Sequence, residues 1–165
     1  MTTAYLGLGS NLGNRLAFLR GGRDTLITHR DIELAQTSGV YETAALGGPS
    51  DSPDFLNAVL QVDTILTPHA LLDWCLTVED KFGRTRPEPW AARTLDIDIL
   101  LYADEIISDQ RLTVPHPRIL QRSFVLAPLC EIAPELMHPL CRRTIADLTA
   151  ANNSAAALRP LHTDW

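Results

Sequence analysis

Arg93-Thr94-Leu95-Asp96-Ile97-Asp98-Ile99-Leu100-Leu101 places two carboxylates two residues apart inside an apolar run. In an extended strand, Asp96 and Asp98 share one side, while Ile97, Ile99 and Leu101 take the other. Like charges held side by side repel. The pair is therefore either a solvated edge face or a cation site. Carboxylate oxygens are the ligands Mg²⁺ takes, usually one or two of them beside substrate phosphates. Just upstream, Arg84, Arg86 and Arg93 surround Trp90. Guanidinium forks grip phosphate oxygens through paired hydrogen bonds. Alone, that stretch is a solvated basic loop; beside the carboxylates, it makes a polyphosphate site whose arginines close over developing charge.

Further along, Pro115 and Pro117 bracket His116, and Arg118 and Arg122 follow. A histidine held between prolines suits a fixed hydrogen-bond donor to phosphate, although a lone histidine is more often structural. Thr43, Leu46, Phe55, Asn57, Trp90 and Phe124 combine stacking faces with one amide, as a slot for a flat heterocycle would; the alternative for Phe55 and Phe124 is ordinary core. Other phosphate devices are missing. There is no GxxxxGK[ST], which excludes a Walker-type NTPase. Gly7-Leu8-Gly9-Ser10-Asn11-Leu12-Gly13 is one residue too long for a dinucleotide fingerprint and reads better as a tight strand-to-helix turn.

These residues need a scaffold. Residues 4–9 read as a buried strand, with Ser10 or Asn11 as cap of a helix carrying Leu12, Leu16, Leu19, Leu26 and Ile27, weakened by Gly21-Gly22. Ile32, Leu34 and Val40 predict one second strand ending near Tyr41. A strand from Phe55 to Leu66 follows, with Leu56, Ala58, Leu60 and Val62 on one face and Phe55, Asn57, Val59 and Gln61 on the other. Thr67-Pro68 is a helix start, and Leu71, Leu72, Cys75, Leu76, Glu79 and Phe82 share that helix's face. Gly83–Thr94 reads as a long loop and Leu95–Tyr102 as a strand. Glu105–Ser108 with Leu112–Val114 forms a short hairpin; Ser123–Glu131 and Thr144–Ala150 are helical. The order strand-helix-strand-strand-helix-strand predicts an α+β, ferredoxin-like βαββαβ core, a mainly antiparallel sheet flanked by helices.

The chain has 165 residues, 45% hydrophobic and 21% charged, so one domain spanning 1–165 is expected, and disordered or fibrous classes are excluded. A net charge of −6 argues against a broad nucleic-acid surface. Of 14 basic residues, Lys81 is the sole lysine, so any phosphate must be held mainly by arginine. Three cysteines without paired spacing argue against structural zinc or a disulfide framework. No apolar run approaches the ~20 residues of a membrane span. No basic segment precedes the first strand, so no cleaved signal is expected. A monomer in a reducing cytoplasm, without nucleic-acid or membrane partners, is the expectation.

The chain resembles the 6-hydroxymethyl-7,8-dihydropterin pyrophosphokinase family of folate biosynthesis. The resemblance runs from about residue 4 to residue 137 and rests on Gly9-Ser10-Asn11-Leu12-Gly13, Tyr41-Glu42-Thr43, Asp54-Phe55-Leu56-Asn57-Ala58-Val59, Gly83-Arg84-Thr85-Arg86, Arg93 to Asp98, Leu112 to Pro117, Arg122 to Leu126 and Glu131 to Pro134. It implies transfer of diphosphate from ATP to the pterin hydroxymethyl group, with release of AMP. It implies two Mg²⁺ on Asp96 and Asp98, and an ATP site containing Glu79, Arg111, Thr113, His116 and Arg122. Arg84 and Arg93 would steady the transferred group, with Trp90 helping the loop close. Asn57, with the Thr43 backbone, would read the pterin edge, with Phe124 and Phe55 flanking the ring and Leu46 lining the slot. Two stretches depart from the family pattern: Ala44-Ala45 replaces Pro-Pro, and Pro89-Trp90-Ala91-Ala92-Arg93 replaces Arg-Trp-Gly-Pro-Arg. Ferredoxin-like domains also serve as small-molecule sensors. The retained carboxylate pair favours an enzyme.

Overall fold

In the computed structural model, the structure describes residues 1–44, 53–83, 94–152 and 158–165. Strand β1 (Thr2–Ser10) leads to helix α1 (Arg15–Leu26); β2 (Ile32–Thr37), β3 (Val40–Thr43) and β4 (Phe55–Thr64) follow, then α2 (Pro68–Lys81) and β5 (Asp96–Tyr102). The short β6 (Ile107–Ser108) and β7 (Thr113–Val114) pair as a hairpin, followed by α3 (Ser123–Ile132), α4 (Ile145–Ala151) and a final strand β8 (Arg159–Leu161). Among the described residues the main sheet runs β5-β1-β4-β3-β8, with β2 also on β4, and every pairing is antiparallel. The chain order β1-α1-β2-β3-β4-α2-β5 is the expected ferredoxin-like order with its second strand divided into β2 and β3. The terminal strand β8 was not legible in the sequence.

The period-2 pattern divides the sheet into two faces. Leu6, Leu8, Leu56, Leu60, Val62, Ile97 and Ile99 pack against Leu19 and Leu26 of α1 and Leu71, Cys75 and Val78 of α2. Tyr5, Val59, Leu100 and Leu101 pack on the opposite side against Val125, Leu126 and Leu129 of α3 and Ile145 and Leu148 of α4. Helices α3 (ten residues) and α4 (seven) pack on the part of this face around Tyr5, Val59 and Leu101. The rest of the face carries the polar residues described below.

Several local expectations are corrected. The cap of α1 is Asn14, whose side chain accepts from Ala17 N at 3.1 Å, not Ser10 or Asn11. Leu12 and Ile27 lie outside that helix and are exposed. Gly21 and Gly22 do more than weaken it: a Cβ there would come within 2.7 Å of Phe82 and 2.8 Å of Leu95, so their bareness lets α1 lie close against the two sides of the 84–93 segment. The expected second strand is two strands. At the break, Ser38 N still donates to Val59 O at 2.9 Å, but Ser38 Oγ, in place of a backbone carbonyl, takes the Val59 N–H at 2.8 Å. Thr67 does cap α2, accepting from Ala70 N at 3.3 Å, with Pro68 at the first position. Pro128 sits inside α3, and its own burial with Val125, Leu126 and Leu129 outweighs a missing helical hydrogen bond worth a few kcal/mol, ~3 in an exposed helix.

Candidate active site

The register of β1 with its neighbours assembles the site. Gly9 pairs with Asn57 on one side and Asp96 on the other; Gly7 pairs likewise with Val59 and Asp98. Asp98, Gly7 and Val59 thus form one row across this face of the sheet, and Asp96, Gly9 and Asn57 the next. Two strand spacings, roughly 10 Å, separate the carboxylates from the amide, with no β1 side chain between them. At Gly9 that bareness is required. A Cβ would meet Asn57 Oδ1 at 3.2 Å and Phe55 at 3.8 Å. The glycine run is therefore the floor of a slot.

At the β4 end, Asn57 is 8% exposed and its Nδ2 donates to Thr43 Oγ1 at 3.2 Å. Thr43 itself is buried and pairs with Phe55 in the ladder. The predicted amide, hydroxyl and ring are thus brought together by adjoining strands. Phe124 is in the first turn of α3, with Arg122 Cζ 5.5 Å from its ring centroid. Leu46, Arg84, Trp90 and Arg93 lie outside the described residues.

At the β5 end, one irregularity decides the geometry. The β1–β5 register shifts between Tyr5 and Leu6, so Leu100 is an extra residue in β5. Leu101 consequently returns to the face of Tyr5 and Leu100, not to that of Ile97 and Ile99 as simple alternation predicts. The displaced Leu100 carbonyl accepts from His116 N at 2.9 Å. That bond docks the Val114-Pro115-His116 segment beside Asp98. No sequence signal marks the bulge.

His116 Nδ1 accepts from Arg118 N at 3.1 Å, which leaves the proton of a neutral ring on Nε2. Nε2 lies 3.7 Å from Asp98 Oδ2, too far for a hydrogen bond. Burial first, then the Arg122 and Arg118 guanidinium charges, hold the His116 pKa down at about 4, against an upward pull from Asp96. At neutral pH the contact with Asp98 is therefore not an ion pair. Arg122 Nη1, 3.6 Å from the same oxygen, supplies the positive charge there. The result is a carboxylate pair bordered by an arginine and a neutral N–H donor.

Other predicted residues stand further back. Glu79 is fully buried on α2, and its Oε1 accepts from Ile97 N at 2.6 Å, on the side of the sheet opposite Asp96 and Asp98. It anchors the strand that carries them. Arg111 is exposed and pairs with Asp73 of α2, and Thr113 is exposed in β7. Glu131 closes a clasp instead of facing the slot, accepting from Gly39 N at 2.9 Å and Tyr41 Oη at 2.9 Å. Burial, then that carboxylate, push the Tyr41 pKa up to about 12. Thr94 Oγ1 donates to Phe82 O at 2.7 Å, joining the two chain ends that flank residues 84–93. Among the described residues no cluster of three or more His, Cys, Asp or Glu could hold a metal alone. Any ion on Asp96 and Asp98 would need ligands from a substrate or solvent.

Residues 5–134 match the family model described as 7,8-dihydro-6-hydroxymethylpterin-pyrophosphokinase (HPPK). A 2-amino-4-hydroxy-6-hydroxymethyldihydropteridine pyrophosphokinase of Methylorubrum extorquens is 46% identical over 137 residues, 83% of this chain and 86% of that protein. The enzyme of the same name in Haemophilus influenzae is 44% identical over 139 residues, 84% of this chain and 86% of its own. Among solved structures, an HPPK-DHPS in complex with substrates superposes with a TM-score of 0.73 at 16% identity, covering 91% of this chain and 43% of that one. The Plasmodium falciparum HPPK-DHPS gives 0.70 at 17% identity, with coverage of 91% and 43%. This chain thus spans less than half of those solved chains, and at such identity the likeness is one of fold.

Proposed function

The chain belongs to the 7,8-dihydro-6-hydroxymethylpterin-pyrophosphokinase family, and on that premise we propose that the polar half of this sheet face is where diphosphate passes from ATP to the hydroxymethyl group of 6-hydroxymethyl-7,8-dihydropterin, releasing AMP, in folate biosynthesis. The single observation that carries the site is the row Asp96–Gly9–Asn57. It puts a ring reader and a charge-binding pair on one face of the sheet with only glycine of β1 between them.

In this reading the pterin lies over Gly9 between Phe55 and Phe124. The Asn57 amide and Thr43 pair with its fused pyrimidine edge, which offers both donors and acceptors. The ring's hydroxymethyl group then points toward β5. Leu46 and Trp90 complete the slot. Asp96 and Asp98 would hold two Mg²⁺; an all-oxygen set completed by phosphate and water suits that ion. Bound there, Mg²⁺ lowers the pKa of a nearby hydroxyl and neutralises phosphate charge.

The remaining residues bind and orient. His116 donates a hydrogen bond from its Nε2–H to a phosphate oxygen, and its Nδ1 lone pair already accepts from Arg118 N. It is therefore a donor and not the base for the hydroxyl proton. Arg122 balances phosphate charge beside Asp98, while Arg111 and Thr113 serve the nucleotide from the β6–β7 hairpin. Glu79 serves it indirectly, by holding Ile97 and so the strand of the carboxylates. Arg84 and Arg93 steady the transferred group. Rate enhancement then comes from positioning and electrostatics. One domain over residues 1–165, acting as a cytoplasmic monomer, completes the proposal.

The test is product analysis. ATP incubated with the protein and Mg²⁺ should yield AMP only when hydroxymethyl-dihydropterin is present, and chelating the metal should stop it. Formation of ADP, or of AMP without the pterin, would overturn the reading.

A further inference from the structure

The last strand, β8, lies beyond the family match, which ends at residue 134. Its first residue, Arg159, pairs in the ladder with Glu42 of β3. The Arg159 Nη2 reaches Glu42 Oε1 at 2.7 Å and Asp54 Oδ2 at 2.9 Å. From the other end of the chain, Arg15 Nη1 reaches Glu42 Oε2 at 2.7 Å and the Asp54 carbonyl at 2.8 Å. Two arginines and two carboxylates thus form a closed, charge-balanced knot. Glu42 immediately precedes Thr43, and Asp54 immediately precedes Phe55; Thr43 and Phe55 are themselves partners in the ladder.

We propose that Arg159 is a positioning residue for the pterin slot: by tying Glu42 to Asp54 it sets the spacing of the strand ends that present Thr43 and Phe55 to the ring. The inference rests on the pterin reading above. Glu42 alternates with Tyr41 and Thr43 along β3, so the knot lies on the face of the sheet opposite the slot. It touches no substrate and acts through the backbone of its neighbours. Its reach is also one-sided. Asp98, His116 and Arg122 belong to elements that share no bond with the knot among the described residues, so ATP binding should not feel it.

The discriminating measurement is titration calorimetry of hydroxymethyl-dihydropterin and of a non-hydrolysable ATP analogue on the full chain, with steady-state KM and kcat beside it. The Arg159 side chain is 64% exposed, so Arg159→Ala should fold, and thermal melting checks that it does. Exposed ion pairs are individually weak. The expected effect is accordingly a rise of roughly three- to tenfold in the pterin dissociation constant and KM, with ATP affinity and kcat changed less than twofold. Arg159→Lys should recover part of the loss, because an ammonium neutralises one carboxylate but cannot span both. Asp54→Asn should reproduce the defect and add little to Arg159→Ala. Pterin affinity unchanged in both variants, or ATP affinity falling in parallel, would overturn the proposal. A wild-type chain that binds no pterin would overturn the functional reading itself, and this inference with it.

Discussion

Replacing His116 with asparagine should make the protein less sensitive to acid. The asparagine carbonyl can accept the Arg118 N–H as Nδ1 does, so the local turn survives. In the folded state His116 has its pKa lowered from 6.5 to about 4, chiefly by burial and then by Arg122 and Arg118. A depressed folded pKa means that the unfolded chain takes up the proton first. The neutral imidazole is therefore fully compatible with folding above the unfolded pKa, and stability is lost as pH falls below it toward the folded value. With those two pKa values, linkage gives a loss of about 1 kcal/mol at pH 5.5 and roughly 2–3 kcal/mol at pH 4.5 relative to neutral pH. The side chain is 18% exposed, and solvent screening trims the second figure to roughly 1–2 kcal/mol. Urea unfolding of both proteins at pH 7.5, 5.5 and 4.5 measures it. Other groups titrate in both proteins, so the difference between them isolates His116. Wild type should lose more stability than His116→Asn by that margin as the pH drops. If the two curves stay parallel, the ring is not held neutral, and its assignment as a fixed Nε2–H donor to phosphate fails.

Three further outcomes follow from the same geometry. Asp98→Ala should abolish most Mg²⁺-dependent turnover while leaving the unfolding midpoint equal or slightly higher, since a like-charge neighbour of Asp96 is removed; full turnover at ordinary Mg²⁺ would count against the metal site. Asn57→Ala should weaken pterin binding by about 1–3 kcal/mol, the effect of an unpaired buried polar partner, and leave ATP affinity unchanged by calorimetry; an equal loss for both ligands would make Asn57 a scaffold residue. Gly22→Ala should lower stability by roughly 1–3 kcal/mol in urea titration, despite alanine's better helix propensity, because its Cβ would sit 2.8 Å from Leu95; a stabilised variant would show that α1 can shift without consequence.

The chemistry of this protein is written locally. Asp96 and Asp98 share a strand face because extended chain alternates, and Asn57 and Phe55 share another for the same reason. Thr67-Pro68 announces its helix because a hydroxyl followed by proline satisfies a helix start without tertiary help. Such features need only near neighbours, so the sequence alone was enough for them and for the ferredoxin-like order of the first elements. The family resemblance carried by the separated motifs lies on the same level.

What depends on contact between distant segments was not legible. Ser38 breaks one expected strand into two because its hydroxyl meets Val59 on another strand. Gly21 and Gly22, which look like helix defects, are spaces for Phe82 and Leu95. Alternation misplaced Leu101 because a single extra residue, Leu100, shifts the register, and the carbonyl thereby released is the one that docks His116 beside Asp98. Glu79 shares the apolar face of its helix in the sequence, but its partner, the Ile97 N–H that it holds from beneath the sheet, lies on another element. The knot of Arg15, Glu42, Asp54 and Arg159 joins the two ends of the chain. A one-dimensional pattern encodes which way a side chain faces along its own element. Which partner it meets there is set by strand register and helix docking, and those are decided only when the whole sheet has assembled.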